Sequence, residues 1–204
     1  MKETKKRSER RPFFREKTLK RLAGATLIML VWLLVWMLVF KFCNEYMLIR
    51  NYSNMRNMTV LERLEWDRIP FNYRGTEYEI MQQRITSVLN CFILTPFAVV
   101  LQYLINRHRI LKGAMVSFLF ILSIELIQLS TSFGNFATED FITNMISYFV
   151  GVGLYQLIFR RLSLKANVIL FSVSAVLCAA LTIASFMTAL SASDTLFKLL
   201  THTF

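Results

Sequence analysis

Histidine is almost missing from this chain. His108 and His202 are its two, and the hydropathy and charge patterns of the chain predict them on opposite sides of a membrane, which argues against a Ser–His couple or a histidine-based metal centre. Cysteine is scarce as well. Cys43, Cys91 and Cys178 make an odd count, and two of them sit inside apolar runs, which argues against a disulfide framework and against clustered thiolate ligands. The six glycines form no phosphate-cradling loop, and neither H-E-x-x-H nor G-x-S-x-G occurs. Acidic residues are outnumbered, 13 against 24 Lys and Arg, for a net charge of +11. What the sequence has in abundance is hydrocarbon: 55% of its 204 residues are hydrophobic, gathered into long runs, the pattern of a polytopic membrane protein.

Residues 1–21 carry ten basic side chains against Glu3, Glu9 and Glu16. A run of that kind binds nucleic acid in some proteins, but here it abuts an apolar span and reads as a cytoplasmic tail drawn to anionic lipid. A first transmembrane helix follows over 22–42, with no charge in residues 22–40. Residues 43–84 form a polar extracellular segment in which six arginines balance six acids, and Pro70-Phe71 marks a break in it. The second span covers 85–105 with Pro96 near its middle, where a proline predicts a kink. The third covers 113–132 and the fourth 141–159. The remainder, 160–204, holds a fifth span at about 166–190 and a short external tail; Ala175/Ala179 and Ala180/Ala184 there are small-residue pairs suited to close helix packing. The fold class is therefore all-α, a membrane bundle of about five transmembrane helices.

Charge sets the expected orientation. The 1–21 tail, the 106–112 turn and the 160–165 turn are basic, whereas 43–84 is neutral and 133–140 acidic. That alternation predicts an inside N-terminus and an outside C-terminus.

Inside the third span stand Glu125 and Gln128, three residues apart and so on one helical face. Ionisable groups at membrane depth are expensive and generally face a bundle interior or a cavity. Under the orientation above, Glu125 lies roughly 18 Å from the inner end of its helix at 1.5 Å per residue. Asn90 of the second span and Asn144 of the fourth fall in the same outer half, and Asp140 stands at the mouth. These five residues form the expected ligand-binding pocket. Taken singly, such amides often only bridge neighbouring helices, and an acid at a helix N-terminus is favoured by the unpaired amides there.

The same residues carry a family resemblance. Ser123-Ile124-Glu125-Leu126-Ile127-Gln128, then a loop, then Asp140, Asn144 and Gly151, resembles the E-x-x-Q, D-x-x-x-N and glycine pattern of the VanZ-like family. Upstream, Asn90-Cys91-Phe92-Ile93-Leu94-Thr95-Pro96-Phe97 is similar to its N-x-x-x-F-x-P-F-G segment, and Ile69-Pro70-Phe71 to its N-L-x-P-F motif. The resemblance spans about residues 66–155, with Ala98 and Ser147 where the family usually has glycine and Arg68 where it has asparagine. It implies a bacterial plasma-membrane protein, of the type associated with teicoplanin resistance in Gram-positive bacteria. The partners expected are membrane lipids and a lipid-linked cell-wall precursor or lipoglycopeptide, with no nucleic acid, cofactor or metal. No established reaction comes with the resemblance. Binding in an outward-facing polar pocket is therefore the leading reading, beside an enzyme modifying an envelope lipid precursor with Glu125 and Asp140 as acid and base, and a small proton-coupled transporter centred on Glu125.

Overall fold

The structure is a computed structural model that describes residues 12–40, 58–59, 61–65, 75–105, 109–131, 136–191 and 201. Pro70, Phe71, Arg68, Cys43, both histidines and most of the 1–21 tail lie outside the described residues. The protein is an all-α membrane bundle. Helix α1 is Pro12–Phe40, α2 Glu77–Ile93, α3 Thr95–Ile105, α4 Ile110–Thr131, α5 Thr138–Leu157 and α6 Leu164–Ser191. Two short strands, β1 (Leu64–Glu65) and β2 (Phe136–Ala137), pair in parallel. Among the described residues five helical stretches are long and apolar enough to cross a membrane, with α2 and α3 together making one of them.

The distribution of side chains is inverted relative to a water-soluble domain. Ile28, Phe92, Leu119, Phe149 and Val176 are exposed, while Gln102, Ser117, Glu125, Thr143 and Asn144 are buried. Hydrocarbon outside and polar groups inside is what a lipid solvent demands, because each buried polar group must find its partner within the bundle. The apolar core is shared by Leu34 of α1, Phe97, Ala98 and Leu101 of α3, Ile121 of α4, and Tyr148 and Val152 of α5.

Helix α1 starts earlier than the hydropathy of the first span suggests. It runs through Lys17, Lys20 and Arg21, and Leu19 and Ala23 on this basic stretch are already buried against Val100 and Phe171. Their i,i+4 spacing puts two apolar groups on one face between exposed cations, so the helix has packing to gain before its uncharged run begins. Lys17, Lys20, Arg21, Arg109, Lys112, Arg160, Arg161 and Lys165 are all exposed and end up at one end of the bundle, here called the basic end.

The second span is broken just ahead of Pro96. The Leu94 N–H donates to Ser147 Oγ at 2.8 Å instead of to its own helix, and Thr95 Oγ1 donates to the Ser147 carbonyl at 3.3 Å. Pro96 has no N–H to offer, so the ladder restarts with Ala98 donating to the Leu94 carbonyl at 2.9 Å. One turn beyond Ser147, Gly151 faces the same break. A Cβ there would stand 2.6 Å from both the Thr95 carbonyl oxygen and the Ala98 Cβ. A small hydroxyl and a missing side chain, four residues apart on α5, are what let the kinked span sit this close.

Helix α6 packs on α1 through Phe171, Ala175, Cys178 and Ser185, a stripe at helical spacing. Trp32 donates its indole N–H to Ser185 Oγ at 3.0 Å, with the Phe186 ring alongside. Of the alanine pairs expected to form the contact, Ala175 is in the stripe, but Ala180 and Ala184 are exposed, because α6 turns its Phe171–Ser185 face to α1.

Candidate functional site

Helix α4 projects well past α5 at the end opposite the basic one. Phe118 meets Phe141 edge to face at 5.1 Å, with thirteen residues of α4 beyond the first ring and only three of α5 before the second. The overhang is about ten residues, or ~15 Å. Glu125 and Gln128 lie on it. Their burial therefore comes from elements other than the body of α5.

One such element is α1. Gln128 donates its Nε2 to the Leu38 carbonyl at 2.5 Å, satisfying one of the last carbonyls of that helix, which have no intrahelical partner at a helix end. Another is the 59–65 segment. The Phe136 N–H donates to the Arg63 carbonyl at 3.0 Å and leads into the β1–β2 ladder, Leu64 opposite Phe136 and Glu65 opposite Ala137. The Arg63 guanidinium reaches across the overhang and donates to the Leu129 carbonyl at 2.8 Å, near the C-terminus of α4. A cation there complements the helix dipole, and at 7% exposure it needs such an acceptor. The turn carrying Arg63 is held by a reciprocal pair. Thr59 donates its N–H (2.6 Å) and its hydroxyl (2.9 Å) to the Glu62 carboxylate, and the Glu62 N–H returns to Thr59 Oγ1 at 3.3 Å. The two donations from Thr59 hold the Glu62 carboxyl below its ordinary pKa.

The first turn of α5 is gripped by α2. Asn90 Nδ2 donates to Asp140 Oδ1 at 2.9 Å, and Ser87, one turn earlier, donates its hydroxyl to Glu139. Two adjacent acids at a helix N-terminus, where the dipole favours negative charge, thus each take a donor from one face of α2. Glu139 is 3% exposed.

Of the residues the sequence singles out, Asn90 and Asp140 are in direct contact, and Gln128 is joined to α1. Glu125 and Asn144 are both 2% exposed. Gln128 Oε1 and Asn144 Oδ1 are buried acceptors with no hydrogen-bond partner among the described residues. Such atoms cost about 1–3 kcal/mol each in desolvation unless a donor completes them. Gln128 Oε1 lies with Glu125 on the overhang and suits a ligand that donates hydrogen bonds. Asn144, three residues past Phe141, lies about 15 Å deeper along α4, so the structure does not bring it to the depth of Glu125 as the sequence suggests. Among the described residues no three His, Cys, Asp or Glu side chains group as metal ligands, and Cys91 and Cys178 are free thiols.

Arg63, Ser87 and Glu139 are the site residues that sequence reasoning does not pick out. Arg63 is one of six arginines in a polar segment, and nothing local marks the one that inserts. Glu139 offers a faint signal, an acid next to Asp140 at a helix start. A second buried polar group, also unmarked, lies toward the basic end. There the Tyr148 hydroxyl donates to the Ile110 carbonyl at 3.0 Å beside Gly113, and Gln102 and Ser117 are fully buried.

A cavity of about 830 Å³ opens elsewhere in the bundle, between α1, the broken α2–α3 span and α6. Of the five expected pocket residues only Asn90 lines it. In comparison with known proteins, the sequence model of the VanZ/LLP1 family matches residues 27–160, from within α1 to the turn after α5. Neither the curated proteins nor the solved structures hold a match to the chain.

Proposed function

The chain belongs to the VanZ/LLP1 family, and on that premise we propose that it works at the outer leaflet of the plasma membrane of a Gram-positive bacterium. It binds a lipid-linked envelope molecule, or the lipid-bearing part of a teicoplanin-type lipoglycopeptide, and so protects or maintains the cell envelope. The charge pattern supports this orientation, with the basic end inside and the overhang of α4 outside. The observation that carries the reading is the burial of Glu125 on that overhang, in a helix of membrane length, with the acceptors Gln128 Oε1 and Asn144 Oδ1 also inside the bundle. A carboxylate kept in such a place at a cost of a few kcal/mol calls for a function. Glu125 anchors the ligand and Gln128 orients it on the overhang, with Asp140, Asn90 and Asn144 continuing the polar path deeper into the bundle.

The test is susceptibility to teicoplanin in cells carrying the native chain or Glu125→Gln or Glu125→Ala, at matched membrane abundance. Loss of protection in both variants is expected. Protection equal to that of the native chain would overturn the role given to Glu125.

A further inference from the structure

The 830 Å³ cavity has the size of a ligand pocket but little polar chemistry of its own. Three of the polar side chains along it are engaged by the protein. Thr26 donates to the Leu22 carbonyl at 2.9 Å, Thr95 to the Ser147 carbonyl at 3.3 Å, and Asn90 to Asp140. The rest of the wall is chiefly hydrocarbon from residues such as Leu33, Phe92, Val99 and Leu177. Its shape is a slot. Toward the basic end it is closed where Phe171 packs on Val100 and on the Tyr103 ring, at 5.0 Å between centroids. Toward the other end it reaches Thr86 and Asn90. From Thr26 to Met37, twelve residues of α1 follow its length, eleven rises of 1.5 Å or about 16 Å. That is roughly half of a ~30 Å bilayer core, the depth of one leaflet.

We infer that this slot holds a single long alkyl chain of a membrane lipid, its methyl end against Phe171 and its polar end beside Asn90 and Asp140. The lining favours hydrocarbon along the slot, since most of the wall is apolar and three of its polar side chains are engaged by the protein. Asn90 lines the open end and the carboxylate of Asp140 is bonded directly behind it, which favours a head group that donates hydrogen bonds, an ammonium or a hydroxyl, over an anionic one. Taking the ligand for an envelope lipid rests on the function proposed above; the slot itself does not.

The experiment uses the full chain in nanodiscs and a phosphatidylethanolamine whose acyl chain ends in a photoactivatable diazirine. Adducts mapped by mass spectrometry are expected to concentrate on slot residues around Phe171 and Val100. Two substitutions, Ser174→Phe within the slot and Thr86→Trp at its open end, are each expected to lower this labelling about tenfold, the effect of ~1.4 kcal/mol. Val176→Trp on the exposed face of α6 leaves it unchanged. The two substitutions are independent, so misfolding of one leaves the other decisive. Labelling spread evenly over exposed residues such as Ile169 and Val176, and unmoved by either slot substitution, would show annular lipid only and overturn the site. A free fatty acid with the same diazirine tail should label severalfold less, and equal labelling removes the head-group assignment. Slot labelling absent from the native chain, while Glu125→Gln still abolishes protection, overturns the alkyl-chain site and leaves the proposed function standing. Slot labelling retained in a Glu125→Gln chain with full protection does the reverse.

Discussion

Asn90 and Asp140, fifty residues apart in sequence, are joined by a 2.9 Å hydrogen bond in which the amide donates and the carboxylate accepts. The pair ties the second membrane span to the fourth and borders both the slot and the acidic start of α5. Asn90→Asp sets two carboxylates against each other and is expected to destabilise the protein by about 1–3 kcal/mol. Adding Asp140→Asn restores a donor and an acceptor in reversed order. A double-mutant cycle of unfolding midpoints in detergent should then show a favourable coupling between the two positions; additive losses would mean the bond contributes nothing.

Gly151 and Gly153 make a matched comparison on one helix. A Cβ at Gly151 meets Ala98 and the Thr95 carbonyl at 2.6 Å, while one at Gly153 meets nothing within 4 Å. Gly151→Ala is expected to cost about 1–3 kcal/mol by overpacking. Gly153→Ala should be neutral or stabilising by up to about 1 kcal/mol, the helix-propensity gain. Equal thermal shifts for the two would contradict the close approach at the break.

Ser147→Ala removes the acceptor of the buried Leu94 N–H. The expected loss is about 1–3 kcal/mol, the cost of stranding a buried donor, and Ser147→Thr, which keeps the hydroxyl, should lose less. Hydrogen exchange at the Leu94 amide is the direct measurement. It should quicken in the alanine variant well beyond its neighbours.

The Thr59–Glu62 turn should be sensitive to acid. Its contacts hold the Glu62 pKa below the ordinary value, so the stabilisation is present above the ordinary carboxylate pKa and fades as pH falls through the lowered one. The Phe136 amide, bonded to the Arg63 carbonyl next to that turn, reports the change. After correction for intrinsic rates its exchange should rise below about pH 4 in the native chain and stay flat in Glu62→Gln.

Much of the architecture is legible in the sequence because long apolar runs are a local signal: five of them foretell five membrane helices. The burial of Glu125 and Gln128 is legible for a related reason, as polar groups within such a run have few places to go. The relations between helices are another matter. The overhang of α4 depends on how Phe118 meets Phe141 and how Tyr148 meets Gly113, contacts that no single segment encodes. For the same reason the partner of Gln128 is hidden, since it is a backbone carbonyl ninety residues upstream. Arg63 is set in place by a two-residue strand pairing with Phe136 and Ala137, too short to leave a pattern. The break in the second span sits in between. Pro96 predicts a kink, but the identity of the hydroxyl that receives the Leu94 N–H comes only from the fold.

That hydroxyl also bears on how the protein is made. A chain emerges from the ribosome N-terminus first, so the second span is synthesised before Ser147, fifty-three residues behind Leu94, exists. Until the fourth helix enters the bilayer, the interrupted span carries a backbone donor that hydrocarbon leaves unsatisfied. Maturation of the bundle is therefore tied to a late arrival. The kinked helix cannot settle on its own, and truncation before α5 should leave a product that membrane quality control recognises.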